Sequence, residues 1–366
     1  MGATVAERWR HDWSDLVEEV VDPGLCTGCS GCVIVCPKDV LRLDDAWTPR
    51  LDPSAWFEGS ERSCLHGEKG CTLCTRACPR FKAWRADADL QRWGRETTPE
   101  EVIGAHRAVL LVEATDPAVA AAGQDGGLGS ALLAYAIEQD LIDAALVSYV
   151  DDGQRPRPGL ARTRDEVLAA AGSRYTYSPN TLALDEADEA GAERLGLISV
   201  SCQVPIPAIA GARGARKLAR RFALVIGLLC SKTFADEIYE ELLDARYGIT
   251  RDSIVKVNIK GRLQVWHGEE YTEIPLKEAH AWTRPGCVHC PDFSAEHADL
   301  SLGGIGRFPG KTLTIVRTDL GEELLQRMEA DGLIAVSDAV ENDPDAVGLV
   351  HRLARNQRKR WPQPAV

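Results

Sequence analysis

The sequence predicts an α+β chain in two parts: a small, loop-rich N-terminal domain, then a mixed α/β domain. Three observations carry this. Residues 1–95 hold eight of the twelve cysteines and show little helical or strand periodicity, so that part needs a staple other than a hydrophobic core. From Ala105 onward, apolar runs rich in β-branched residues alternate with stretches of helical period, the βαβ rhythm of a parallel or mixed sheet covered by helices. The chain has 366 residues, 45% of them hydrophobic, enough for two or three domains with ordinary cores.

The N-terminal part is defined by its cysteines. Cys26, Cys29, Cys32 and Cys36, followed by Pro37, are spaced C-x2-C-x2-C-x3-C-P, the bacterial ferredoxin run. Three thiolates two residues apart curl a loop around one 4Fe–4S cubane. The fourth points away and ligates the other cluster of a two-cluster fold. The run therefore requires a partner, and Cys64, Cys71, Cys74 and Cys78, followed by Pro79, supply it. The first gap of this second run is six residues, "LHGEKG", in place of two. One cluster is assigned to Cys26, Cys29, Cys32 and Cys78, the second to Cys36, Cys64, Cys71 and Cys74. Paired C-x2-C elements also bind zinc, but a zinc site does not need eight cysteines in two runs that each end in C-x3-C-P.

The segment "GRETTPEE" (94–101) reads as a linker. Beyond it, "AVLLVEAT" is a buried strand, residues 129–142 a helix with Leu132, Leu133, Ala136, Ile137 and Leu141 on one side, and "AALVSYV" a second strand. The acidic stretch "LALDEADEAGAERLG" reads as a solvated helix. Strands follow at 195–201 and 222–229, a helix at 236–247, and a hairpin of "SIVKVNIK" and "RLQVWHG" about Gly261. "TLTIVRT" is a late strand, followed by a capped helix from Asp319 to about Gly332.

Four cysteines lie in this second part. Cys202 sits just past one strand, Cys230 at the end of another, and Cys287 and Cys290 form a C-x2-C pair in a Gly/Pro loop. Functional groups of α/β sheets gather beyond the carboxyl ends of strands. Spacing leaves two readings open: a third four-thiolate cluster, or ordinary buried cysteines. "GQDGGLGS" before a helix likewise has two readings. It offers backbone N–H groups and a helix N-terminus to an anionic phosphate, or it is a turn that caps the helix. It lacks the G-x-G-x-x-G spacing of a dinucleotide fingerprint. The basic run "ARGARKLARRF", with Arg213, Arg216, Lys217, Arg220 and Arg221, is either a solvated helix face or a patch for an anionic coenzyme or an acidic ferredoxin. Lys256 and Lys260 are further candidates for anion contact. His66, His289 and His297 lie near cysteines, but a histidine ligand would exceed the four-thiolate count.

The net charge of −13 counts against nucleic acid and against an anionic membrane surface as partners. No run of 18 apolar residues exists to span a bilayer. The N-terminus, "MGATVAERWRHDWSDL", has no apolar core and is not a signal peptide; "MGATVA" lacks the hydroxyl residue of a myristoylation signal. A cytoplasmic location is therefore expected. In that reducing setting, closely spaced cysteines read as metal ligands.

Taken in order, these motifs resemble the beta subunit family of coenzyme F420 hydrogenase and dehydrogenase. The likeness rests on "GQDGGLGSALLAYAIEQDLID", "SRYTYSPN", "SCQVPIPAIAG", "VIGLLC", "CVHCPDFSAEHADLSLGGIG" and "GKTLTIVRTDLGEELL". The resemblance implies an FAD flavoprotein with iron–sulfur clusters that exchanges electrons with a deazaflavin, coenzyme F420. It implies a third 4Fe–4S cluster on Cys202, Cys230, Cys287 and Cys290. It implies a flavin site drawn from Gly126, Gly127, Gly129, Ser130, Tyr175, Gln203, Lys260, Gly303 and Gly304. The expected division is then 1–95 as the ferredoxin-like domain, 96–185 as the N-terminal part of the flavin-binding region, and 186–366 as its C-terminal part with the third cluster. Two positions depart from the pattern: Gly303-Gly304 stands where the family often has Gly-Asp, and Ser201 precedes Cys202 where proline is usual. The expected activity is transfer between coenzyme F420, as a hydride, and a one-electron carrier such as ferredoxin or a partner subunit. Hydride transfer by the flavin needs no catalytic side chain. The alternatives are a ferredoxin-dependent reductase of another organic substrate, as in chlorophyll-reductase-like relatives, and a non-catalytic electron-transfer subunit.

Overall fold

Among the described residues an eight-stranded mixed sheet runs in the order Ile334–Asp338, Ala108–Ala114, Thr312–Val316, Leu300–Gly303, Phe222–Leu228, Leu195–Val200, Ala144–Val150, Pro156–Ala161. The computed structural model describes residues 9–151 and 155–360, so the reading of the extreme N-terminus at residues 1–8 lies outside the described residues. The four strands from Leu300–Gly303 to Ala144–Val150 are parallel, and the outer strands on both sides are antiparallel. The parallel strands are continuous apolar runs because both faces are covered. Helix Leu128–Glu138 is buried over most of its surface, from Leu128 through Ala131–Ala136. That explains why its sequence is apolar on nearly every side. Helix Asp319–Ala330 starts where the Thr318 hydroxyl accepts the Gly321 N–H at 3.2 Å.

Several elements differ from expectation. Pro156–Ala161 is an edge strand despite Pro156 and Pro158, and an edge is where a strand tolerates proline. Leu300–Gly303 and Ile334–Asp338 are short strands with too few residues to show a period. The acidic helix contracts to Leu184–Glu189, and its Leu184 and Ala187 are buried. The helix expected over 236–247 forms wide π-type turns at Tyr239–Asp244 and returns to α at Ala245–Tyr247. The hairpin about Gly261 gains a third strand, giving the meander Ile254–Ile259, Arg262–His267, Glu270–Pro275. Helix Pro344–Arg358, which the sequence reading did not include, follows an Asp343 cap.

The N-terminal part is built from one-turn helices, Gly31–Ile34 and Leu73–Arg76, two small hairpins and the helix Arg85–Trp93. Trp13, Leu16, Val20 and Phe81 form its core together with the cysteines. It does not stand off from the sheet. Cys29 and Ala77 share an apolar cluster with Leu146, Leu197 and Ile206. Arg213, from the basic run, is 1% exposed. It donates to the carbonyls of Thr75 at 2.9 Å, Cys78 at 3.1 Å and Phe81, and lies over the Trp9 ring. Arg221 pairs with Asp188 at 2.6 Å, while Arg216, Lys217 and Arg220 face solvent. The segment 94–101 is pinned by Arg95 and Glu101 at 2.6 Å and leads into buried Val102 and Ile103.

Candidate metal and cofactor site

Two pockets lie in the N-terminal part, and the cysteines divide between them. Cys26, Cys29, Cys32 and Cys78 line the first, with Leu16, Val20 and Pro79. Cys36, Cys64, Cys71 and Cys74 line the second, with Trp13, Leu41 and His66. Each pocket thus takes three cysteines from one run and one from the other. The runs can interlock because Gly31 packs on the Ala77 backbone; a Cβ there would lie 2.5 Å from the Ala77 carbonyl oxygen.

The thiols are shaped by burial. It pushes Cys29 up to about 12, with Cys78 adding to the shift, and pushes Cys78 up to about 11 against a hydrogen bond from the Arg80 N–H. Cys32 and Cys74 are raised well above the ordinary thiol value, again by burial first. Such thiols hold their protons until a metal cation replaces them. Four sulfur donors around one water-poor space, twice over, fit two iron–sulfur clusters.

The remaining four cysteines also converge. Burial raises Cys230 first, then Cys287, Cys202 and Cys290 in turn. Burial raises Cys202 first as well, with Cys290, Cys287 and also Cys29 contributing. Strand ends position Cys202 and Cys230, and the one-turn helix Pro285–Val288 presents Cys287. Local bonds surround the group. The Tyr177 hydroxyl lies 3.4 Å from Cys202 Sγ, Thr233 Oγ1 lies 3.5 Å from Cys287 Sγ, and the Cys290 thiol donates to the Asp292 carbonyl at 3.6 Å. The donor set has the composition a third cluster requires. Gly286 lets this loop meet the N-terminal part, since any Cβ there would run into the Cys26 carbonyl.

Most of the other expected site residues gather on the far side of Cys230. Gly126 and Gly127 have φ of 77° and 69° and lead into the helix that begins at Leu128, followed by Gly129 and Ser130. Lys260 Nζ pairs with Asp125 at 3.1 Å. Gly304 abuts the same carboxylate, and Gly303 abuts Leu229. The Tyr175 hydroxyl donates to Asn258 Oδ1 at 3.1 Å, and Tyr175 lies within the electrostatic reach of Asp125 and Cys230, so it spans the space between glycine loop and cysteines. Burial raises its phenol well above the ordinary tyrosine value, so it stays protonated. The glycines are each explained by close protein neighbours: Gly310 faces Gly126, Val119 faces Gly127 and Ile198 faces Gly129. The fit for a flavin therefore rests on other features: the unblocked helix start, the Lys260 cation, and the buried hydroxyls of Ser178 and Ser201 beside Cys202, which lack a hydrogen-bond partner.

Gln203 stands apart from that gathering. It is 0% exposed, accepts the Thr181 N–H at 3.2 Å and donates to the Ser178 carbonyl at 2.8 Å. Thr181 in turn donates to the Cys29 carbonyl at 2.9 Å. Gln203 thus ties the Cys202 turn to the first cysteine run. His66 lines the second pocket, and His297 is buried against Asp89 at 2.8 Å. Sequence reasoning missed Asp125, Asn258, Tyr177, Arg80 and Arg284. Asp125 and Tyr177 lie inside the quoted motifs "GQDGGLGS" and "SRYTYSPN", which was the available signal.

Comparison with known proteins finds matches along most of the chain. Residues 25–82 match the family model described as 4Fe-4S dicluster domain. Residues 109–185 and 192–342 match those described as coenzyme F420 hydrogenase/dehydrogenase, beta subunit, N-term and C terminus. The chain is 32% identical over 266 residues to the coenzyme F420 hydrogenase subunit beta of Methanothermobacter thermautotrophicus, covering 71% of this chain and 94% of that protein. It is 30% identical over 334 residues to the coenzyme F420-dependent sulfite reductase of Methanocaldococcus jannaschii, covering 87% of this chain and 48% of that protein. Among solved structures it is similar to a chain of the F420-reducing [NiFe] hydrogenase complex from Methanosarcina barkeri. The TM-score is 0.68 at 28% identity, covering 72% of this chain and 92% of that one.

Proposed function

The chain belongs to the coenzyme F420 hydrogenase/dehydrogenase beta subunit family and carries a 4Fe–4S dicluster domain ahead of the family domain, and on that footing we propose that it is an iron–sulfur flavoprotein oxidoreductase passing electrons between coenzyme F420 and a one-electron carrier. The carrier is a ferredoxin or a partner redox subunit, and the reaction is cytoplasmic. One observation carries this reading: twelve cysteines fall into three groups of four, and the third group adjoins Tyr175, which reaches the glycine loop.

Cys26, Cys29, Cys32 and Cys78 hold one cluster, Cys36, Cys64, Cys71 and Cys74 the second, and Cys202, Cys230, Cys287 and Cys290 a third. FAD, when bound, supplies the exchange between two-electron hydride chemistry and one-electron carriers. The rest is positional. The N–H groups from Gly126 to Ser130 would hold an anionic group of the cofactor at the helix start. Lys260, held by Asp125 at 3.1 Å, adds a cation beside it. Tyr175, half-buried and bonded to Asn258, lies between Asp125 and Cys230, and Gln203 acts through the turn it anchors. On binding iron, each thiol would release its proton to solvent and ligate as the thiolate. No described helix is long and apolar enough to cross a membrane.

Anaerobic purification with iron and flavin quantification tests the composition. About twelve irons and one flavin per chain are expected. About eight irons would leave the third group as thiols and defeat that assignment. Mixing with reduced deazaflavin then tests the substrate. Bleaching of the flavin and clusters is expected. Bleaching by reduced ferredoxin alone would defeat the role of coenzyme F420.

A further inference from the structure

Two buried arginines stand where the first cysteine pocket meets the third cysteine group. Arg80 is 6% exposed and Arg284 is 8% exposed. Arg80 follows Cys78-Pro79, and its backbone N–H donates to Cys78 Sγ at 3.4 Å. Its guanidinium points the other way. It donates to the His289 carbonyl at 3.1 Å, within the Cys287–Cys290 loop, and hydrogen-bonds Cys290, with Cys202 also in electrostatic reach. One residue therefore touches a thiol of each group. Arg284 also joins the two groups. It donates to the Thr27 carbonyl at 3.0 Å, within the first run, and lies 3.9 Å from the centroid of the Tyr177 ring, whose hydroxyl meets Cys202.

Burying a guanidinium is costly unless negative charge compensates it. The charges that raise Arg80 are all cysteines, Cys290 and Cys202 of one group and Cys78 of the other. A cluster held by four thiolates is anionic and becomes more so on reduction. A fixed cation donating to one of its sulfurs stabilises the reduced form most, and hydrogen bonds and charge at the ligands set such potentials.

We propose that Arg80 is a positioning residue that holds the reduction equilibrium of the Cys202/Cys230/Cys287/Cys290 group toward the reduced side and so aligns it with the Cys26/Cys29/Cys32/Cys78 group for one-electron exchange. This rests on the ligand assignment under Proposed function. The exchange itself moves one electron from one group to the other. One is oxidised, one is reduced, and no bond or proton is transferred. Arg284 supports the same junction from the Thr27 side.

The test is a potentiometric titration of the full chain, purified anaerobically, with dithionite as reductant and electron paramagnetic resonance as readout. Wild type is compared with Arg80→Gln and Arg80→Lys. Arg80→Gln should keep the iron content and shift one cluster about tenfold toward its oxidised form, a midpoint about 59 mV lower. The cluster of Cys36, Cys64, Cys71 and Cys74 should not move, and Arg80→Lys should recover most of the shift. An unshifted titration in iron-replete Arg80→Gln overturns the proposal, as does a shift that Arg80→Lys leaves in full. If Arg80→Gln loses iron, Arg80→Met, which keeps an unbranched chain without the charge, is read instead: the same single-cluster shift supports the proposal and no shift overturns it. A wild-type count of about eight irons is seen before any variant is made. It removes the third cluster, and this proposal with it.

Discussion

Cys64 is separated from Cys71 by six residues, where the first run has gaps of two, yet both line the second pocket with Cys36 and Cys74. The hairpin Trp56–Phe57/Ser60–Cys64 delivers the cysteine from outside the loop, so the insertion lengthens the path and leaves the destination unchanged. Cys64→Ser should therefore lower iron from about twelve to about eight per chain and remove the signal of one cluster. Unchanged iron on anaerobic quantification would exclude Cys64 as a ligand. The grouping of these eight cysteines was legible because cysteine spacing is a local property that chain geometry constrains. Arg213 was not legible. Its neighbours in "ARGARKLARRF" suggested a solvated face, whereas its partners are carbonyls more than 130 positions away in the sequence. A backbone carbonyl leaves no trace in the sequence that names its donor.

At the scale of elements, the glycine loop decides how the helix from Leu128 meets the ends of strands Ala108–Ala114 and Thr312–Val316. Gly126 has φ of 77°, and its Cα faces the Gly310 carbonyl and the Thr312 hydroxyl. Asp125 is fixed from both sides, by Lys260 at 3.1 Å and through its carbonyl by the Thr312 hydroxyl. Gly126→Ala combines a left-handed conformation with a backbone collision. It should destabilise the chain by roughly 2 kcal/mol or more and lower flavin retention on gel filtration. Full flavin retention with unchanged thermal stability would show that the loop neither binds nor is constrained. The long strands and helices here were readable from period and composition, as Ala108–Ala114 and Ala144–Val150 illustrate. Leu300–Gly303 was not, because four residues carry no period and its pairing with Phe222–Leu228 and Thr312–Val316 is tertiary.

At the scale of the whole molecule, the N-terminal part and the sheet are joined by buried charge as well as by apolar packing. Glu296 is 2% exposed and pairs with Arg85, on the last helix of the N-terminal part, and with Arg358 at 2.9 Å, on the C-terminal helix. Burial alone would raise its carboxyl; Arg85 and Arg358 outweigh that and hold it below the ordinary value, so it is ionised at neutral pH. Arg85 and Glu296 are 211 positions apart, which is why a reading by composition saw a boundary near residue 95 and could not see the seam. Glu296→Gln leaves the half-buried Arg85 and Arg358 against a neutral amide, and the buried Arg317 close by loses a compensating charge. Removing one partner of a fully buried pair costs about 3–5 kcal/mol; both arginines here reach solvent, which screens the loss to about 2 kcal/mol. Because the lost interaction spans three elements, the cost should fall on the whole chain. In wild type, loss of cluster absorbance and loss of far-ultraviolet circular dichroism should occur in one thermal transition, and Glu296→Gln should lower both together. A variant that loses cluster absorbance at a lower temperature while the sheet signal stays at the wild-type midpoint would instead make residues 1–95 an independently melting unit, joined to the sheet by a seam that carries electrons but little stability.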